Sequence, residues 1–281
     1  MMNLNKKNKN KNVLAIHDIS CVGRCSLTVA LPIISAFGVE CRLLPTALLS
    51  THTGGFIDFT YLDLTNEMKN ILVAWKPLGL RFDAIYSGFM ATAEQIDILK
   101  SVISDYPTLS VIDPVMADNG ELYSVFDQTF VEKMKEVVPI ADVLIPNLTE
   151  ACLLTDTPYR EKIDRDFIED LASSLQNMGA KNIVFTGVSF TEKEIGAAVV
   201  YEDGNISFAM SEKQPDFYHG TGDIFGSVLT AELVNGKSLV EAAQIASDFV
   251  VDSIKATEAT NPAADKKYGV NFESVLANRK K

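Results

Sequence analysis

Gly220-Thr221-Gly222-Asp223 runs directly into the apolar stretch Ile224-Phe225-Gly226-Ser227-Val228-Leu229. Glycines let a backbone turn sharply and come close to a ligand. The first N–H groups of a helix have no intrahelical partner and carry partial positive charge. Together they suit an anion, such as the charge that builds on a phosphoryl group during transfer. An aspartate at that point can take a proton from an attacking hydroxyl. The four residues by themselves also fit a plain Gly-rich turn with Asp223 as helix N-cap, so the flanking chain has to decide.

Upstream, short apolar runs alternate with longer helical patterns. Strands are expected at Val13–Ile16, Ala84–Ser87, Leu109–Asp113, Val143–Ile145 and Ile183–Phe185, with a further strand-like run from Glu40 to Leu49 interrupted by Pro45. Helices are expected over Ser26–Phe37 (kinked or broken at Pro32), Leu62–Leu78, Ala93–Tyr106, Phe130–Val138 and Arg165–Met178. Two more, Ile224–Val234 and Ser238–Lys255, close the chain. Ala197–Tyr201 and Ile206–Met210 flank Asp203-Gly204, which reads as an antiparallel hairpin. Repeated β-then-α order predicts an α/β fold, a doubly wound, mostly parallel sheet flanked by helices with a C-terminal antiparallel hairpin. Nothing resembling a repeat or linker divides residues 12–281, so one domain is expected there, and residues 1–11 are expected to be a disordered extension.

Composition narrows the partners. The 281 residues are 47% apolar, enough for a sizeable core. The net charge of −12 argues against nucleic acid or an anionic membrane. No apolar run approaches the ~20 residues of a membrane span, and the Lys/Asn-rich start lacks a secretory apolar core. A cytoplasmic protein with reduced thiols is therefore expected. Cys21 and Cys25 have CxxxC spacing, but Cys41 and Cys152 and the scattered His17, His52 and His219 complete no zinc motif.

In doubly wound sheets ligands bind beyond the carboxyl ends of the strands. The polar residues there are His17-Asp18-Ile19-Ser20, Ser50-Thr51-His52-Thr53-Gly54-Gly55, Ser87-Gly88-Phe89, Asp113-Pro114-Val115-Met116-Ala117-Asp118, Asn147-Leu148-Thr149-Glu150 and Thr186-Gly187. Pro114 biases Asp113 to an extended conformation past its strand. Carboxylates at two adjacent strand ends, Asp113 and Glu150, suit Mg²⁺, which takes one or two carboxylates plus waters and phosphates. Taken singly, Asp113 also fits an Asp-Pro turn and Glu150 a solvent-facing acid at a helix start.

These residues carry a resemblance. Asn147-Leu148-Thr149-Glu150 matches the NxxE motif, and Gly220-Thr221-Gly222-Asp223 the anion-hole GxGD motif, of the ribokinase-like small-molecule kinases. Within them the chain most resembles the vitamin B6 (pyridoxal, pyridoxine, pyridoxamine) kinases over roughly residues 12 to 275, through Ala15-Ile16-His17, Ser50–Thr53, Ser87–Phe89, Asp113–Met116 and Tyr268–Glu273. The resemblance implies ATP- and Mg²⁺-dependent phosphorylation of a vitamer 5′-hydroxymethyl group, in a homodimer, with a monovalent cation as a further candidate. It implies Asp223 as base and Gly220, Thr221 and Gly222 as phosphoryl-oxygen donors. Asp113 and Glu150 would hold the metal through water, supported by Asn147 and Asp118. Thr186 and Gly187 would line the nucleotide site, and Asp18, His52, Thr53 and Phe89 the vitamer pocket.

The chain departs from many relatives in having Asp18 where they have Ser, Gly54 in place of a hydrogen-bonding side chain, and Phe89 where several have Tyr. Hydroxymethylpyrimidine kinases share the fold and similar motifs and are the competing substrate class. A non-catalytic B6- or nucleotide-binding protein is the alternative of another kind. Sugar kinases of this superfamily often insert a lid of strands in the N-terminal third, and residues 38–84 are expected to leave no room for one. Trp75 is expected to pack, and His219 either to touch a phosphate or to serve the structure.

Overall fold

The computed structural model describes residues 10–263 and 265–279. Of the extension expected over residues 1–11, residues 1–9 lie outside the described part. The carbonyl of Lys11 already accepts from the Glu40 N–H at 2.9 Å, so the sheet begins at the edge of that segment.

The first half of the chain runs β1 (Asn12–Ile16), β2 (Ile19–Ser20), α1 (Leu27–Ala36), β3 (Glu40–Leu43), β4 (Ala47–Leu49), β5 (Tyr61–Asp63), α2 (Thr65–Trp75), β6 (Ala84–Ser87), α3 (Ala93–Asp105) and β7 (Leu109–Ile112). It continues with β8 (Ala117–Asp118), β9 (Glu121–Leu122), α4 (Gln128–Met134), β10 (Val143–Leu144), α5 (Leu148–Leu154) and α6 (Arg165–Asn177). The last part is β11 (Asn182–Thr191), β12 (Glu194–Val200), β13 (Ile206–Glu212), α7 (Thr221–Asn235), α8 (Leu239–Thr260) and α9 (Phe272–Asn278).

Eight strands form the main sheet in the order β13-β12-β11-β10-β7-β6-β1-β3. Every pair from β3 to β11 is parallel, and β11-β12-β13 are antiparallel. The sheet is doubly wound, as expected. Strand residues alternate between two apolar layers, because successive side chains point to opposite faces. Leu14, Ile16, Ile85, Ile112 and Leu144 pack with Met68, Ile96, Val131 and Leu171 from α2, α3, α4 and α6. Val13, Tyr86, Val111 and Val143 pack with Ile33, Val228 and Ala246 from α1, α7 and α8.

Some boundaries differ from the sequence reading. The run Glu40–Leu49 is two strands in two sheets, separated around Pro45. Proline offers no N–H to a ladder, so it marks the change of partner. Helix α2 starts only at Thr65, because Tyr61–Asp63 pairs antiparallel with β4. With β2 these strands form a separate three-stranded sheet, two of whose strands lie within residues 38–84, where no room for a strand lid was expected. Helix α1 runs through Pro32. Trp75 packs partly buried against the core, as expected. All four cysteines are free. Among the described residues, no helix is long and apolar enough to cross a membrane.

Candidate active site

Parallel register brings the strand ends level. Ile16 pairs with Ser87, Ser87 with Ile112, and Ile112 with Leu144, while an isolated bridge joins Asn147 to Thr186. His17, Gly88, Asp113 and Asn147 therefore leave the sheet along one edge, level with Thr186 inside β11. The Gly220–Asp223 turn joins them from the adjacent layer.

Gly220 is the N-cap of α7, and Asp223 is the third helical residue rather than the cap. Two constraints require glycine at 220. Its φ is 80°, and a Cβ there would sit 1.9 Å from the Arg24 carbonyl oxygen. Loop 23–26 thus presses on the turn. Ser26 ends that loop with φ 56°, an unfavourable value for a side-chain-bearing residue. The strained position turns its N–H toward the Asp223 carboxylate. The N–H groups of Gly220, Thr221, Gly222 and Asp223 have no partner among the described residues, so the mouth of α7 stays open to an anion.

The Asp223 side chain retains 17% exposure, and its Oδ1 lies 3.9 Å from Nδ1 of His17. Burial pushes its carboxyl up to about 7, against the lowering effect of the Ser26 N–H, and the Asp18 charge adds to the rise. A carboxylate poised there matches the range for general-base work. Asp18 is buried, with one oxygen accepting from the Ser20 hydroxyl at 2.8 Å, and burial raises its carboxyl above the usual range.

Asn147 and Glu150 begin α5 with a closed capping box. Asn147 Oδ1 accepts from the Glu150 N–H and Glu150 Oε2 accepts from the Asn147 N–H, both at 2.9 Å. Glu150 Oε1 accepts from the Met116 N–H at 3.0 Å, and Asn147 Nδ2 donates to the Ala117 carbonyl at 2.8 Å. The motif thereby ties α5 to loop 113–118. Glu150 is 2% exposed, so it is not a solvent-facing acid. Burial raises its carboxyl to about 8 in spite of those backbone donors. Asp113 is pushed well above the carboxylate range by burial first, then by the Glu150 and Asp223 charges.

Asp118 belongs to the β8–β9 hairpin, where its oxygens accept from Asn119 N and Nδ2. Burial raises its carboxyl, and a nearby His219 lowers it. Among the described residues no three His, Cys, Asp or Glu side chains form a ready-made metal cage. The acids at hand are Asp113 and Glu150, with phosphate oxygens and water left to complete a coordination shell.

On the other flank, His52 Nδ1 accepts from the Gly54 N–H at 3.1 Å and its Nε2 meets the Lys267 carbonyl at 2.5 Å. The ring is thus the Nε2–H tautomer, with both nitrogens committed to the backbone. It can offer a ligand only its carbon edge or face. Beside it, the His219 ring fills the space a side chain at Gly54 would take, 2.7 Å from that Cβ position. Phe89 is buried and packs 5.5 Å from Phe126. Thr53 is half-buried in the same loop, and Gly187 is exposed beside half-buried Thr186.

The sequence profile of the family described as Phosphomethylpyrimidine kinase matches residues 31–269. The chain belongs to the phosphomethylpyrimidine kinase family. Among curated relatives it is similar to a pyridoxine kinase of Bacillus subtilis (strain 168), 30% identical over 180 residues, 63% of this chain and 65% of that enzyme. The chain is thus matched to just under two thirds of that relative's length. Among solved structures it is similar to a putative phosphomethylpyrimidine kinase from Bacteroides thetaiotaomicron VPI-5482, in an orthorhombic form with pyridoxal (38% identity, TM-score 0.90, 96% of both chains). It is also similar to pyridoxal kinase from Lactobacillus plantarum (32% identity, TM-score 0.88, 96% of both chains).

Sequence reasoning missed three parts of this family member's site. The loop Arg24–Ser26 carries no motif, although its contact with Gly220 decides the turn. Lys267 enters through its backbone carbonyl, which no residue pattern signals. His17 was visible among the strand-end residues but had no assigned role, because its position against Asp223 depends on burial.

Proposed function

We propose that this chain transfers the γ-phosphoryl group of ATP to the 5′-hydroxymethyl group of a vitamin B6 vitamer, whether pyridoxal, pyridoxine or pyridoxamine. The observation that carries the reading is Asp223: an acid free of any closed capping box, raised to about 7, at an open helix mouth. In the reaction the vitamer hydroxyl attacks the γ-phosphorus in line while Asp223 accepts its proton. The free N–H groups of Gly220, Thr221 and Gly222 hold the phosphoryl oxygens. Phosphoryl transfer needs mostly positioning and charge stabilisation, which this arrangement supplies.

Asp113 is buried beside the like charges of Glu150 and Asp223, with no ion pair to a cationic side chain among the described residues, and that fits a divalent cation. Asp113 and Glu150 would hold Mg²⁺ through water, and the metal would neutralise phosphate charge. Asn147 and Asp118 support this side, and Thr186 and Gly187 line the nucleotide. Asp18, Thr53, Phe89 and the His52 ring line the vitamer pocket. The B6 assignment draws on the pyridoxal in the Bacteroides relative and on the two kinases named above. The proposal includes a homodimer, for which exposed Leu48 and Leu62, paired on one face of the small sheet, offer an apolar contact.

The family's own description favours a second reading, phosphorylation of hydroxymethylpyrimidine or its phosphate. A panel of pyridoxal, pyridoxine, pyridoxamine and hydroxymethylpyrimidine with Mg-ATP separates the two by ADP release. Turnover on a vitamer is expected. Turnover on the pyrimidine alone would transfer the assignment to it, and ATP binding without turnover of any of the four would leave a binding protein.

A further inference from the structure

His17 is completely buried, and neither ring nitrogen has a hydrogen-bond partner among the described residues. An orphaned buried donor is costly, so such a group calls for a reason. Its surroundings hold it in place without satisfying it. The Tyr86 ring meets it edge-on at 4.4 Å. A Cβ at Gly88 would lie 2.3 Å from Nδ1 and 2.4 Å from Cε1, so only glycine at 88 leaves room for the imidazole. The polar atom facing it in the site is Asp223 Oδ1, 3.9 Å from Nδ1. That is about 1 Å beyond hydrogen-bond length, and hydrogen bonds of catalytic groups are often long before substrate binds.

We propose that His17 is the positioning residue of Asp223, its neutral imidazole donating Nδ1–H to one carboxylate oxygen and leaving the other for the substrate hydroxyl. The inference rests on the kinase reading above. A neutral donor orients the carboxylate without cancelling its charge, whereas an imidazolium would pair with it and weaken it as a base. Burial holds the His17 imidazole down at about 3, so it is neutral at any working pH. The other groups facing this pocket are Asp18, Cys25, Tyr86 and Asp113, and none of them brings a positive charge.

The two nitrogens make the proposal testable by shape. An asparagine amide nitrogen reproduces Nδ1, while a glutamine reaches only the place of Nε2. His17→Leu and His17→Gln are expected to lower kcat about 10- to 100-fold with little change in KM. His17→Asn is expected to stay within about fivefold of wild type. Equal losses in all three, or wild-type kcat in His17→Leu, would overturn the proposal.

A second measurement needs no variant of His17. The chain has only three histidines, so ¹⁵N NMR with ADP and pyridoxine bound can read each tautomer. His17 is expected as neutral Nδ1–H, opposite to the Nε2–H form of His52. An Nε2–H or cationic His17 would overturn the proposal even if no variant folded. If the wild-type protein turned over none of the four substrates, the functional reading would fall, and the tautomer of His17 would still decide its bond to Asp223.

Discussion

Helices α5 and α7 begin alike in the sequence: a capping residue, two more residues, then an acid at the third helical position. In α5 the cap is Asn147 and the acid Glu150. In α7 they are Gly220 and Asp223. The outcomes are opposite. Asn147 has a side chain that closes the box, and glutamate is long enough to reach back, so the Glu150 oxygens are spent on the Asn147 and Met116 N–H groups. Gly220 has no side chain to close a box, and the shorter Asp223 leaves its helix N–H groups free. One helix start thereby ties its acid to the fold and leaves it to reach a metal only through water, while the other keeps unspent donors beside an acid that none of its own helix N–H groups occupies. The difference lies in hydrogen bonds that the start of α7 does not make with itself.

The sharpest way to break this contrast is to remove the acid of α7. Asp223→Ala is expected to lower kcat by about two to four decades, the range for a lost general base. ADP binding, followed by calorimetry, should survive. Next is an attempt to close the box at α7. Gly220→Asn tolerates the positive φ better than most residues, but its Cβ meets the Arg24 carbonyl oxygen. We expect a loss of about 2–4 kcal/mol in urea unfolding, with turnover falling as loop 23–26 shifts.

The raised carboxyl of Asp223 has a stability consequence. Its folded value is about 7 against an ordinary 3.8, so the folded state holds the proton over a pH range where the unfolded chain has lost it. Stability from this group is present below about 4 and is lost as pH rises through about 7. Asp223→Asn removes that loss. Its Tm advantage over wild type should grow between pH 4 and 7 and then level off, as differential scanning fluorimetry can show. The smallest expected effect is at the closed box. Asn147→Ala should cost about 1 kcal/mol of stability, the usual value of a lost cap, and reduce turnover far less than Asp223→Ala.

Much of this contrast was legible in the sequence. The βα alternation gave the parallel sheet, and Asp203-Gly204 marked the β12–β13 hairpin. The positions of Asp113, Asn147, Thr186 and Gly220 near one edge followed from the strand-end rule. Other parts could not be read. Strands β2, β4 and β5 have two or three residues each, too few to show a period. Strand β11 runs on past Phe185 through register shifts at Thr186 and Val188, where the two-residue alternation is broken. The difference between Glu150 and Asp223 depends on which backbone N–H groups lie within reach. Glu150 is fixed partly by Met116, 34 residues away in sequence, which no local motif encodes.

The most direct test of the central claim is the pH dependence of kcat/KM for wild type relative to Asp223→Ala, with pyridoxine and Mg-ATP. Taking the ratio cancels the substrate's own titrations. If Asp223 is the free base of an open helix mouth, the ratio should climb about tenfold per pH unit from low pH and level off above about 7. A ratio that stays constant from pH 5.5 to 8.5 would contradict that role for Asp223.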